Sequence, residues 1–359
     1  MSPFEKNLAF IENDLFFKKM MEEKYSGKPI ILIIGPPKSG TSWLHHELKT
    51  KIAEVAVFPD KDTEILQSLV AESKDESLLP TANRIELLKK MMKTRLAWAE
   101  KGYGGGDQGF ARSLDPIINS INTIELGNLY GLFFPTLLMY KTKNQTSSFF
   151  YFDVKMAVSS ENQLKRIKVL FAKLGCKILK IMMIIRDPVE RFNSEVIHRI
   201  RDNGIVDNKR TNALFRMHYE YLKVMKKNKG QIGLHGEWLN KHTSKLQVPD
   251  WFWSRKIEGG SFFDEIVESS RLDDIYNRYV SVFEKRNVHC VLFKDLFKLE
   301  SLSRLFSAME IIGIDFQGIE FNRKINAGNY SVNSSQYNDV LRMFLSKQYD
   351  FIKSVPNVT

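Results

Sequence analysis

The sequence predicts an α/β fold: a mostly parallel central sheet flanked by helices, with helical insertions. Three observations carry that expectation. PIILIIG at 29–35 and KILKIMMIIRDP at 177–188 hold continuous apolar runs, the pattern of strands buried on both faces. A turn and the start of a helix follow each run. A third run, NVHCVLFKDL at 287–296, comes after further helical sequence, and strands alternating with helices imply parallel pairing.

The elements follow in order. Residues 2–24 read as a helix, with Ser2, Pro3 and Glu5 forming a capping box and first-turn proline. Phe4, Leu8, Ile11 and Leu15 repeat on one face. This helix docks on the domain or serves in dimerisation. After the strand at 29–35, residues 41–52 (TSWLHHELKTKI) form a helix with Trp43, Leu44, Leu48 and Ile52 inward. Residues 65–140 and 205–275 are largely helical or irregular, with GYGGGDQG at 102–109 a loop. Residues 160–175 form a helix, capped by Ser160 with Gln163 and ended by Gly175. Another helix starts at Pro188. The expected division is an N-terminal helical arm, 1–28, and a single domain, 29–359.

Composition bounds the function. Hydrophobic residues make up 43% of the 359 and aromatics 12%, which suits a buried core and excludes a disordered chain. Lys and Arg number 53 against 42 Asp and Glu, a net charge of +11. That excess favours anionic partners, or simply a solvated basic surface. The two cysteines, Cys176 and Cys290, lie in or beside apolar runs and read as buried free thiols. No apolar stretch reaches about 18 residues, so no membrane span is expected. MSPFEKNLAF lacks the apolar core of a signal peptide. The expected location is cytoplasmic, with the Asn-x-Ser/Thr triplets at 144–146 and 357–359 there by chance.

GPPKSGTS at 35–42 is the most informative stretch. A nucleotide-binding P-loop reads G-x-x-x-x-G-K-[ST]. Gly35 and Gly40 fit, but Thr41 stands where the lysine should be, and Lys38 comes two residues before the second glycine. A glycine-rich turn between strand and helix offers backbone N–H groups to an anion, helped by the helix dipole. Thr41 and Ser42 add hydroxyl donors. With lysine early in the loop, the arrangement suits a single 5′-phosphate bearing a transferable group, and Lys38 can stabilise charge on the bridging oxygen as it leaves.

RDPVERFNS at 186–194 starts at the carboxyl end of a predicted strand, where α/β sheets bind ligands. Arg186 and Ser194 can meet one phosphate with guanidinium and hydroxyl. Two other readings make Asp187 a Mg²⁺-binding acid, or the segment a capped helix with ordinary salt bridges. His45 and His46 have no metal-ligand spacing, and no metal site is expected.

PKSGTSW resembles the 5′-phosphosulfate loop of sulfotransferases that use 3′-phosphoadenosine 5′-phosphosulfate (PAPS), and R-D-P-x-x-R-x-x-S resembles their 3′-phosphate motif. NRKINAGNY at 322–330 is similar to their cofactor-closing loop, matching at Arg323, Lys324 and Gly328, with Ile325 in place of the first glycine. The resemblance implies a P-loop-like sulfotransferase fold, PAPS as co-substrate and PAP as product, with no metal required. It assigns cofactor binding to Pro37, Lys38, Ser39, Gly40, Thr41, Ser42, Arg186, Ser194, Arg323, Lys324 and Gly328. No histidine follows Lys155 in FFYFDVKMAV (149–158), where phenol- and steroid-type enzymes carry their base. FPDKDTEIL at 58–66 resembles the carboxylate segment of carbohydrate and tyrosylprotein sulfotransferases instead. Asp62 is then the base, with Glu64 in reserve, and Lys38 with Lys155 stabilises charge on the moving sulfuryl group. Asp62 read without the resemblance is equally a polar loop residue capping the next helix, and Lys155 a surface lysine.

The expected partner is a small-molecule or glycan acceptor, with no nucleic acid, and the protein a monomer or homodimer. The alternatives are a P-loop kinase or nucleotidase using ATP and Mg²⁺, and a non-enzymatic basic module that binds anions.

Overall fold

A computed structural model describes residues 1–13, 27–58, 65–73, 82–100, 116, 120–121, 123–138, 148–176, 178–202, 208–227, 262–268, 271–321 and 335–355. At its centre lie five parallel strands: β1 (Pro29–Ile34), β2 (Val55–Val57), β3 (Ser148–Phe152), β4 (Ile178–Ile185) and β5 (Val288–Leu292). Their order across the sheet is β2-β3-β1-β4-β5. β1 is central, with Ile33 opposite Phe152 on β3 and Ile34 opposite Met183 on β4.

The apolar runs follow from the two-sided burial. Side chains alternate across a strand. Ile30, Leu32 and Ile34 join one core with Phe149, Tyr151, Ile181, Met183 and Ile185. Ile31 and Ile33 join the opposite core with Phe150, Phe152, Met182 and Ile184. Neither face meets water, so no polar residue interrupts β1.

Helix α2 (Thr41–Lys51) covers the second face with Trp43, Leu44 and Leu48, as its periodicity predicts. The helix α11 (Leu299–Ala308), which follows β5, joins it there through Leu302, Leu305 and Phe306. The first face is covered by α1 (Pro3–Glu12), α3 (Ile65–Leu69), α4 (Ala82–Ala99), α5 (Thr123–Leu138), α6 (Glu161–Lys173) and α10 (Leu272–Phe283). The expected capping boxes are present on α1 (Ser2 with Glu5) and α6 (Ser160 with Gln163). Within α1, Phe4 and Ile11 enter the core, and Asn7 Nδ2 donates to Leu69 O at 2.8 Å. Gly131 of α5 faces this helix, and a Cβ there would lie 3.1 Å from Asn7 Cα. Leu15 and the rest of the expected helix after Asn13 fall outside the described residues.

A third cluster stands apart from the sheet. It joins α7 (Pro188–Asp202), α8 (Asn208–Lys227), α9 (Phe262–Glu268) and α12 (Ser335–Phe344), and Leu345 just before the last helix, α13 (Ser346–Ser354). Val189, Phe192, Val196 and Ile200 give α7 its inner face. Both cysteines are free, Cys290 buried and Cys176 half-buried. Burial pushes the Cys290 thiol up to about 12. No helix among the described residues is long and apolar enough to cross a membrane.

Candidate active site

Because all five strands are parallel, the segments that follow them emerge on one edge of the sheet. Residues 35–40 follow β1, Asp153 follows β3, Arg186 follows β4 and Phe293 follows β5. Adjacency of β1 and β4 brings the two sequence motifs side by side.

The loop after β1 is shaped by backbone conformation. Lys38 has φ 68 and Gly40 has φ 95, both left-handed. For lysine this costs about 1–3 kcal/mol, the kind of strain that persists at functional sites. Ser39 Oγ donates to Pro36 O at 2.7 Å, closing the turn from within. Gly35 passes so close to β4 that a Cβ would lie 2.9 Å from Ile184 O. Gly40 is the N-cap of α2 and carries no side chain to cap it. The helix therefore begins without the side-chain acceptor that usually satisfies its first N–H groups, which suits an anion there. Thr41 is buried and Ser42 half-buried at that first turn.

Phe293 is the residue sequence reasoning missed. Its ring lies against Gly40 so closely that a Cβ on the glycine would sit 2.4 Å from Cε2. The same ring carries the Arg186 guanidinium 4.9 Å from its centroid, within cation–π range. It also packs edge-on with Phe297 at 4.9 Å, and Phe297 lies 4.6 Å from Trp43 of α2. Nothing local in FKDLF marks that first phenylalanine as a partner of Gly40.

Arg186 joins the motifs. Its Nη1 donates to Lys38 O at 3.2 Å. Its Nε lies 3.4 Å from Glu190 Oε2, a long contact to an exposed carboxylate. Asp187 Oδ1 accepts from Glu190 N at 3.0 Å, capping α7, and its Oδ2 accepts from Tyr349 Oη at 2.9 Å. Both carboxylate oxygens thus accept from protein donors, one within α7 and one from α13. Ser194 is half-buried on α7, two turns beyond Arg186. Arg191 is buried, and its Nη2 donates to Ile266 O at 3.3 Å. Burial lowers its pKa to about 10, partly offset by Glu195.

Lys155 falls in a 3₁₀ turn, Val154–Val158, directly after β3. Helix α10 holds that turn: Tyr279 Oη donates to Met156 O at 2.8 Å and Arg278 Nη2 to Ala157 O at 2.7 Å. Beside it, Asp153 is buried at the strand end and accepts from Tyr151 Oη at 3.2 Å. His45 of α2 has Nε2 3.0 Å from Phe58 O. A carbonyl only accepts, so that nitrogen carries the proton. Asp62, Glu64, Arg323, Lys324 and Gly328 lie outside the described residues. Among the described residues no group of His, Cys, Asp and Glu could hold a metal ion.

The profile of one family, described as the sulfotransferase domain, matches residues 28–298, about three quarters of the chain. This chain belongs to the sulfotransferase domain family. Both motifs joined by Arg186 lie within the matched residues, and the family supports a sulfotransfer activity. Among solved structures, a sulfotransferase from Alicyclobacillus acidocaldarius is similar at 13% identity, with 92% of this chain and 98% of that chain covered and a TM-score of 0.46. The sulfotransferase domain from the curacin biosynthetic pathway is similar at 14% identity, covering 88% and 83%, with a TM-score of 0.41. Comparison with curated proteins gave no match.

Proposed function

We propose that the protein is a PAPS-dependent sulfotransferase acting on a hydroxyl or amine of a small-molecule or glycan acceptor. PAPS, when bound, supplies an activated sulfuryl group and leaves as PAP. The observation that carries the reading is the hydrogen bond from Arg186 to Lys38 O, 3.2 Å long. It brings a guanidinium from one strand end against an anion-binding turn from the next.

The residues fit such a ligand. Pro37, Lys38, Ser39 and Gly40 shape the turn, and Thr41 and Ser42 open the helix whose amides face the 5′-phosphosulfate. Arg186 and Ser194 hold the 3′-phosphate, with Arg323, Lys324 and Gly328 closing over it. Lys38 and Lys155 stabilise negative charge on the oxygens around sulfur. Asp62 takes the acceptor's proton, with Glu64 as the second candidate. The acceptor atom must stand in line with the bond to the leaving oxygen. That chemistry moves one sulfuryl group and one proton and needs no metal clamp.

The test is a calorimetric titration without metal, comparing adenosine 3′,5′-bisphosphate with ADP on the wild type and on Arg186→Ala. Hydrogen bonds to charged groups are worth about 1.5–3 kcal/mol. The wild type should prefer the bisphosphate, and Arg186→Ala should weaken it by about 10- to 150-fold and erase the preference. Equal or stronger ADP binding by folded wild type would overturn the assignment.

A further inference from the structure

The C-terminal helices α12 and α13 lie beyond the residues that the family profile matches. They are nevertheless tied to the 186–194 segment at two points. Tyr349 of α13 donates to Asp187 Oδ2 at 2.9 Å, while the other oxygen of that carboxylate caps α7. Further along α7, Asn193 Nδ2 donates to Asn338 Oδ1 of α12 at 3.1 Å.

Both contacts fall next to residues with a proposed role. Asp187 follows Arg186, and Asn193 precedes Ser194. The bracing helix is itself anchored. Tyr337 is buried with its hydroxyl 2.9 Å from His218 Nδ1, and His218 stacks 3.9 Å from the Phe263 ring. Leu341 and Leu345 complete the packing against Val189, Phe192 and Val196. Burial and the bond to Asp187 push the Tyr349 phenol up to about 12, so it remains a proton donor at neutral pH.

A phosphate clamp made from a guanidinium and a hydroxyl eight residues apart works only if both are held at once. Among the described residues Arg186 meets one carbonyl, one aromatic face and, at longer range, an exposed glutamate. We propose that α12 and α13 are a positioning element for the 3′-phosphate, in which Tyr349 and Asn338 set Arg186 and Ser194 so that nucleotides carrying a 3′-phosphate are selected. The inference rests on the proposed PAPS site.

The experiment titrates the full chain with adenosine 3′,5′-bisphosphate and with adenosine 5′-phosphate, in the wild type, Tyr349→Phe and Asn338→Ala. Thermal unfolding checks that each variant is folded, and the second variant serves if the first is not. Losing one half-buried hydrogen bond should weaken bisphosphate binding about three- to tenfold and leave the 5′-phosphate affinity unchanged, so the ratio between them falls. An unchanged ratio in both folded variants, including equal weakening of both ligands, would overturn the positioning role while leaving the site assignment intact. A wild type without 3′-phosphate preference would overturn the site assignment, and this inference with it.

Discussion

Gly40→Ala tests whether the phosphate turn depends on the contact with Phe293. The new Cβ would lie 2.4 Å from Cε2 and 2.5 Å from Cδ2 of that ring, far inside van der Waals contact. The residue must also keep φ 95, and left-handed backbone costs an L-residue about 1–2 kcal/mol. Overpacking a filled site adds about 1–3 kcal/mol. The expected loss of stability is therefore about 2–5 kcal/mol, read from the urea midpoint. If the turn relaxes instead, the amides at the start of α2 move, and bisphosphate affinity falls at least about tenfold, the worth of one charge-assisted hydrogen bond. Pairing the change with Phe293→Ala separates the two causes: the steric part should disappear against a Phe293→Ala background, and the backbone part should remain. A Gly40→Ala protein that unfolds and binds like the wild type would refute the reasoning outright.

Other expectations follow from the same geometry. Glu190 competes with a bound anion for Arg186 from an exposed position, so Glu190→Gln should tighten bisphosphate binding by up to about fivefold at low salt, with less effect at high salt. Asp62→Asn should lower sulfuryl transfer by about 10²- to 10⁴-fold with bisphosphate affinity unchanged, and Glu64→Gln should do less; the reverse ranking in a transfer assay would make Glu64 the base. His289 on β5 is held below its ordinary pKa of 6.5, first by burial and then by Lys180, with Glu310 opposing. The unfolded chain then takes up a proton before the folded one does, so this contribution is complete above about pH 6.5 and is lost as the solution is acidified below it. His289→Gln should flatten the fall of the urea midpoint between pH 7 and pH 5, and an unchanged slope would remove His289 as its source.

Much of this fold was legible where the physics is local. β1, β4 and β5 announce themselves because strands covered on both faces read as nearly continuous apolar runs, interrupted by Lys180 in β4 and His289 in β5. Helix α6 is readable to its caps, since Ser160, Gln163 and Gly175 act within a few residues of one another. β2 is less visible: three residues, Val55–Val57, hold too little pattern to separate a strand from the end of a helix. β3 is an aromatic run that sequence reasoning used to look for a histidine and to pick out Lys155. Lys155 belongs to a 3₁₀ turn directly after β3 that α10 fixes from 121 and 123 residues away. His45 offered no metal spacing, yet it binds the carbonyl of Phe58 at the carboxyl end of β2. Phe293 and Tyr349 illustrate the general limit. Each acts on the site through a partner far away in sequence, and no propensity or spacing encodes such a pair.

The displaced lysine and the long-range braces have a common consequence. A Walker loop concentrates its charge: the lysine after the second glycine and the metal beside it both serve consecutive phosphates on one chain. Here Thr41 occupies that position and is buried at the start of α2. The second cation comes from β4 instead, as Arg186, and it is held against the loop by Lys38 O and Phe293. Positive charge is thus divided between two neighbouring strand ends. On the proposed assignment, ADP, with both phosphates on the same 5′ carbon, would leave the second of those ends unfilled, and a nucleotide with anions at both 5′ and 3′ would meet each with one group. Division of charge has a cost, because the relative position of two strand ends must then be kept to within hydrogen-bond tolerance. The filled contact between Gly40 and Phe293 and the ties from α12 and α13 to α7 supply that constraint from outside the loop.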